Sequence, residues 1–200
     1  MSGFINDKKQ IFDIWSSSYD WTFPSFIYQA IQKRLMSKIE ICGNADVLDL
    51  GCGTGQLFNK LGNEYPELRG IGLDLSPKMI QIARAKNQHR PRFIYIEGNA
   101  EILPFAEGQF DAVFNNISFL HYQNPQQVMK EVKRVLNPGG KFYLVDIIPN
   151  DSSLDFINNN LTKIKFYNLK QREQMGINVE FSCLGHDYLL GFVVLTTFIN

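Results

Sequence analysis

From Ala45 onward, short apolar runs rich in β-branched residues alternate with segments of helical period. A chain patterned this way buries its apolar faces as a mostly parallel sheet with helices packed on both sides. Strands are expected over residues 47–50, 70–74, 93–96, 110–114 and 141–148. After the first, Leu57, Leu61 and Tyr65 fall four apart and Pro66 ends the pattern, which predicts a helix. After the second, Ser76 can cap a helix with Pro77 at its first position and Met79, Ile80 and Ala83 turned inward. Between the fourth and fifth strands, Val128, Met129, Val132, Val135 and Leu136 line one side of a helix and Lys130, Lys133 and Arg134 the other. Asn137-Pro138-Gly139-Gly140 stops it.

The remaining segments divide one domain of residues 1–200 into four parts. Residues 1–44 form an N-terminal helical arm, with Ile27, Ile31, Leu35 and Ile39 at spacing four and an aromatic cluster from Phe12 to Phe23 ahead of them. Residues 45–148 are the core, and residues 149–176 a short cap segment with a helical stripe at Leu154, Ile157, Leu161 and Ile164. Residues 177–200 read as two strands, 177–184 and 188–198, joined by a turn at Gly185-His186-Asp187, and a tight turn makes such a pair antiparallel.

Two hundred residues suffice for one such domain, which buries roughly 70% of the surface of its unfolded chain. Lysine plus arginine equals aspartate plus glutamate at 20 each, so no global field attracts a polyanion, and a nucleic-acid partner is not expected. Cys42, Cys52 and Cys183 are odd in number, far apart and without metal-ligand spacing, so free thiols in the cytoplasm and no metal are expected. Residues 1–10 carry Asp7, Lys8 and Lys9 and do not read as a secretory signal. No run of about 18 apolar residues predicts a membrane span.

The chemistry concentrates at Asp49-Leu50-Gly51-Cys52-Gly53-Thr54-Gly55, between a strand and a helix. Glycines there let backbone N–H groups and a helix N-terminus approach a ligand closely. A dinucleotide fingerprint places its third glycine three residues beyond the second, where this chain has Gln56. A carboxylate at Asp49 repels a pyrophosphate and suits a ligand bearing an ammonium and a sulfonium. Asp74, ending the second strand, can accept from both hydroxyls of a ribose.

Taken in order, these residues resemble the class I S-adenosylmethionine-dependent methyltransferases, in particular the small-molecule branch that includes quinone-biosynthesis enzymes. The resemblance runs from the glycine turn (residues 47–55) through Gly70 to Met79, then Gly98-Asn99-Ala100-Glu101 with Leu103-Pro104-Phe105, Phe110-Asp111-Ala112-Val113 and Arg134 to Gly140. It implies a Rossmann-like three-layer αβα sandwich, with a seven-stranded, mostly parallel sheet whose last strand lies antiparallel beside the fifth. By resemblance, Asp49, Gly51, Gly53 and Gly55 form the methionine-side turn, Asp74 holds the ribose, and Leu75 and Met79 stand in the ribose segment with Leu75 on the adenine. Asn99 and Ala100 meet the adenine edge, Asn115 lies beside the methionine end, and Tyr19 closes over the cofactor.

The expected activity is in-line methyl transfer from S-adenosylmethionine, leaving S-adenosylhomocysteine. Positioning supplies most of such catalysis, and a base is needed only where the acceptor must lose a proton. His121, after the fourth strand, and His186 are the candidates, with neither assigned. With only residues 149–176 inserted as a cap, a small apolar or aromatic acceptor is expected, acted on by a monomer or homodimer. A cofactor-binding protein without turnover and a nicotinamide oxidoreductase are the competing readings.

Overall fold

Asp46–Leu50 forms β1, and Val47, Leu48 and Leu50 within it are wholly buried. Burial on both faces is what a central strand of a parallel sheet requires, and it explains the unbroken apolar run. The computed structural model describes residues 25–148 and 164–200. Within them β2 (Arg69–Asp74), β3 (Phe93–Glu97), β4 (Phe110–Asn116), β5 (Leu136–Ile147), β6 (Ser182–Leu190) and β7 (Val193–Ile199) join β1 in one sheet of order β3-β2-β1-β4-β5-β7-β6. The pairs among β1–β5 are parallel, whereas β7 runs antiparallel to both β5 and β6. The seven-stranded, mostly parallel sheet with its last strand antiparallel is therefore as the resemblance implies.

Helices α1 (Ser25–Met36), α2 (Gln56–Glu64) and α3 (Pro77–Lys86) cover one face, where Ile31, Leu35, Leu57, Leu61, Ile80 and Ala83 share a core with Val47, Phe114 and Val145. On the other face α4 (Pro125–Val135) packs Val128, Met129, Val132 and Val135 against Leu48, Val113 and Leu144, and α5 (Leu169–Ile177) lies beside it. Ser76 accepts from the Met79 backbone N–H, with Pro77 first in α3, as the sequence predicts. The order of strands reverses between β1 and β4, so the carboxyl ends of these two strands open a crevice between diverging connections.

The C-terminal third departs from the sequence expectation. Ile177 ends a helix and does not begin a strand. The cause is a capping box: Asn168 accepts from the Gln171 N–H while Gln171 returns a bond to the Asn168 N–H, which starts α5 at Leu169. Nor do Gly185-His186-Asp187 form the connecting turn. They lie inside β6, and Gly191-Phe192 makes the turn. Gly185 instead sits at a β-bulge, where Cys183 pairs with Phe198 and Gly185 with Thr197. In the cap segment Leu154, Ile157 and Leu161 lie outside the described residues, as does the aromatic cluster of the arm, while Ile164 packs on the α1-side core. All three cysteines are unpaired, and no helix among the described residues is long and apolar enough to cross a membrane.

Candidate active site

At the end of β1 the chain turns back over β2. The N–H groups of Gly51 and Cys52 both donate to the Leu73 carbonyl, at 2.8 and 3.1 Å. Gly51, Gly53 and Gly55 all have positive φ (72°, 52° and 78°), a region that side chains rarely adopt. Space restricts two of them as well: a Cβ on Gly51 would fall 2.3 Å from Ser118 Oγ, and one on Gly55 2.6 Å from Tyr95 Oη. A Cβ on Gly53 would meet nothing within 4 Å. Gly55 is also the N-cap of α2, so the turn delivers a helix N-terminus to the crevice.

Asp74, one strand away, is oriented by backbone donors. Gly53 N–H reaches its Oδ2 and Ser76 N–H its Oδ1, each at 2.9 Å. One carboxylate thus ties the glycine turn to the cap of α3. Asp49 has the opposite surroundings: only 2% exposed, its carboxyl accepts no hydrogen bond from the described residues. Burial, reinforced by the charge of Asp74, pushes its carboxyl up to about 8. A buried carboxyl beneath a glycine turn, without a donor of its own, is stabilised by a cation brought from outside.

Asn115, fully buried at the end of β4, fastens the opposite wall. Its Nδ2 donates to the Leu50 carbonyl at 2.8 Å and lies 2.7 Å from both Ser118 Oγ and Tyr122 Oη. Burial pushes the Tyr122 phenol above its usual range. A short 3-10 helix, Phe119–His121, follows, anchored by the buried Asp146 of β5, whose Oδ2 accepts from Leu120 N–H at 2.9 Å. Anchoring the Leu120 amide sets where His121 stands.

These walls line a cleft with a cavity of about 70 Å³. Gly51, Asp74, Leu75, Asn99, Ala100 and His121, all singled out in the sequence, line it together. Asp49 and Asn115 lie behind that lining, Gly53 and Gly55 carry the turn, and Met79 is buried on the inner side of α3 without lining the cleft. Tyr19 lies outside the described residues. His186 does not line the cleft: its ring, on β6, is hydrogen-bonded to Glu173 of α5 and Thr196 of β7. Leu73, Gly98 and Glu101, which the sequence motifs contain but to which no role was given, also line it, and sequence reasoning missed Tyr122 and Gln123. Tyr122 had one usable signal, its place beside His121 in the segment that leaves the carboxyl end of β4.

Residues 48–144 match a family model described as a methyltransferase domain. An uncharacterized methyltransferase of Synechocystis sp. is 37% identical over 149 residues, 68% of each chain. The demethylmenaquinone methyltransferase of Lactococcus lactis is 32% identical over 150 residues, which are 71% of this chain and 60% of that one. This chain therefore spans under two thirds of the length of the Lactococcus relative. In fold, the methyltransferase solved with the Trm112 methyltransferase activator of Haloferax volcanii superposes with a TM-score of 0.84 at 20% identity, over 94% of this chain and 95% of that one.

Proposed function

The chain belongs to the methyltransferase-domain family, and from that premise we propose that it uses S-adenosylmethionine to methylate a small apolar or aromatic acceptor. The observation that carries the cofactor assignment is the pair of carboxylates at the crevice. Asp74 is aimed by two backbone N–H groups, and the buried carboxyl of Asp49 accepts no hydrogen bond from the described residues. A pyrophosphate cofactor would meet the Asp74 carboxylate and gain nothing from a protonated Asp49, whereas an ammonium beside a sulfonium suits Asp74 and draws Asp49 into its ionised form. The fit is therefore to a cationic nucleoside. In this reading Asp74 takes the ribose hydroxyls, Leu75, Asn99 and Ala100 take the adenine, and Gly51 and Asp49 take the amino-acid end.

When bound, S-adenosylmethionine supplies a methyl group on a sulfonium, with a neutral thioether as leaving group. The chain's own part is positional. The glycine turn and the Asn115–Ser118–Tyr122 network fix the two walls, and His121, on the cleft lining, is the candidate to take a proton where the acceptor must lose one. A small acceptor is supported by the balanced charge of the chain and by the Lactococcus relative, whose name gives demethylmenaquinone as what it methylates.

Incubating the protein with methyl-labelled cofactor and panels of quinols, phenols and amines, beside RNA and protein substrates, tests the proposal. Label transferred to one small-molecule class, with S-adenosylhomocysteine formed alongside, is the expected result. Label in RNA or protein alone overturns the acceptor assignment, and tight cofactor binding without any labelled product overturns the enzymatic reading.

A further inference from the structure

We propose that Glu173, Cys183 and His186 form a zinc-binding site between α5 and β6. A carboxylate oxygen, the Cys183 sulfur and an imidazole nitrogen all lie within 4.8 Å of one another, and all three residues are half-buried, at the edge of the sheet. Thiolate, imidazole and carboxylate are the donors from which zinc sites are built. The cysteines alone carry no metal spacing, so the cluster is invisible until a helix and a strand are brought together.

The backbone that assembles it is unusual in a way that serves the cluster. Residues three apart on a regular strand face opposite sides of the sheet. Here the bulge at Gly185 inserts one residue, so Cys183 pairs with Phe198 and His186 with Thr196, two apart on β7, and both side chains face α5. Gly185 adopts φ +140°, and a Cβ there would meet nothing within 4 Å. Backbone conformation, not lack of space, requires the glycine, and the effect of that conformation is to put a thiol and an imidazole on one face.

A further contact prepares the imidazole. Thr196, fully buried on β7, has its hydroxyl 3.0 Å from His186 Nδ1. If Nδ1 carries the proton and donates to that hydroxyl, the Nε2 lone pair points toward Glu173 and Cys183, the arrangement by which metal-bound histidines are commonly oriented. Without metal, Nε2 lies 2.8 Å from Glu173 Oε1. With zinc bonds of about 2.0–2.3 Å, tetrahedral ligand atoms stand roughly 3.3–3.8 Å apart. Small rotations of the three half-buried side chains bring the cluster to that size. On binding, Cys183 gives its S–H proton to solvent, the imidazole proton resides on Nδ1, and a water fills the fourth position. Zinc, thiolate and carboxylate then sum to no net charge, and no oxidation occurs.

The test uses the full chain, stripped with a chelator and titrated with ZnCl2 or CoCl2. One equivalent of zinc per chain is expected, and Co2+ should give near-ultraviolet thiolate-to-metal absorption. The thermal midpoint should rise by roughly 5–10 °C at free zinc one hundred times the dissociation constant. Cys183→Ser and His186→Gln should each lose at least about 100-fold in affinity, while Cys42→Ser should lose none. On the unsubstituted chain, zinc should slow alkylation of Cys183 and leave that of Cys42 unchanged in peptide mass spectra, a readout that does not depend on variants folding. Equal zinc affinity in Cys183→Ser and the parent, or zinc that leaves Cys183 alkylation unaltered, overturns the site.

Discussion

At Asp49 the folded chain retains a proton up to about pH 8, whereas the unfolded chain loses it near 3.8. Between those values the unfolded state sheds a proton that the folded state keeps, so folding stability falls as pH rises, by at most about 1.4 kcal/mol per unit. Below pH 3.8 the residue contributes no slope. Asn in place of Asp49 keeps the shape and removes the charge. The ligand-free Asp49→Asn chain should therefore melt higher than the parent at pH 8, with the difference shrinking toward pH 4. The same substitution should weaken binding of S-adenosylmethionine by about 10- to 100-fold, since a charged partner is lost. Gaining stability while losing affinity marks a residue kept for its ligand. Thermal melts across pH with calorimetric titration check both, and a lower melting point at pH 8 contradicts the burial argument.

Among the elements, α5 depends on a charge at its inner face. Arg172 is 1% exposed, donates to the carbonyls of Val194 and Ile147, and is pushed down to about 10 by burial despite the neighbouring Asp146 charge. Asp146, buried at the end of β5, is pushed up to about 6, chiefly by burial, while Arg172 pulls it back. Removing the cation leaves Asp146 beneath the helix with only the backbone N–H groups of Leu120 and Ile147 to stabilise its charge. Arg172→Met should cost about 3 kcal/mol at pH 7, and Arg172→Met with Asp146→Asn should recover part of it. Denaturant unfolding of the four chains measures the coupling, and additive losses would refute it. This same region shows where the sequence was hardest to read. Asn168 and Gln171 announced α5 by their spacing, but the apolar residues around Ile177 drew the reading toward a strand. Gly185 looked like a turn because glycine marks both turns and bulges, and only the pairing with β7 distinguishes them. By contrast β1, β2 and the cap of α3 were legible because turn chemistry, burial and capping agreed locally.

For the molecule as a whole, strand order was legible in part. Val193, Val194, Leu195 and Thr196 are buried in succession, the mark of an interior strand, while Ser182, Leu184 and Tyr188 of β6 remain exposed, the mark of an edge. That contrast accords with β7 seated between β5 and β6, whereas the place of the last strand beside the fifth came from the resemblance. The cleft was legible where residues touch the ligand space along the glycine turn and after β2. Tyr122 and Gln123 enter it only once β1, β2 and β4 are assembled side by side. On the proposed reading of the site, assembly also links cofactor binding to a proton. Since Asp49 is largely protonated near pH 6.5 in the free protein and must ionise to receive an ammonium, binding should release close to one proton. Calorimetry with S-adenosylhomocysteine in buffers of differing ionisation enthalpy should find that release in the parent and none in Asp49→Asn. Affinity should in turn strengthen from pH 6 to 8, by up to about tenfold per unit. An affinity flat over that interval would mean that Asp49 is ionised before the ligand arrives.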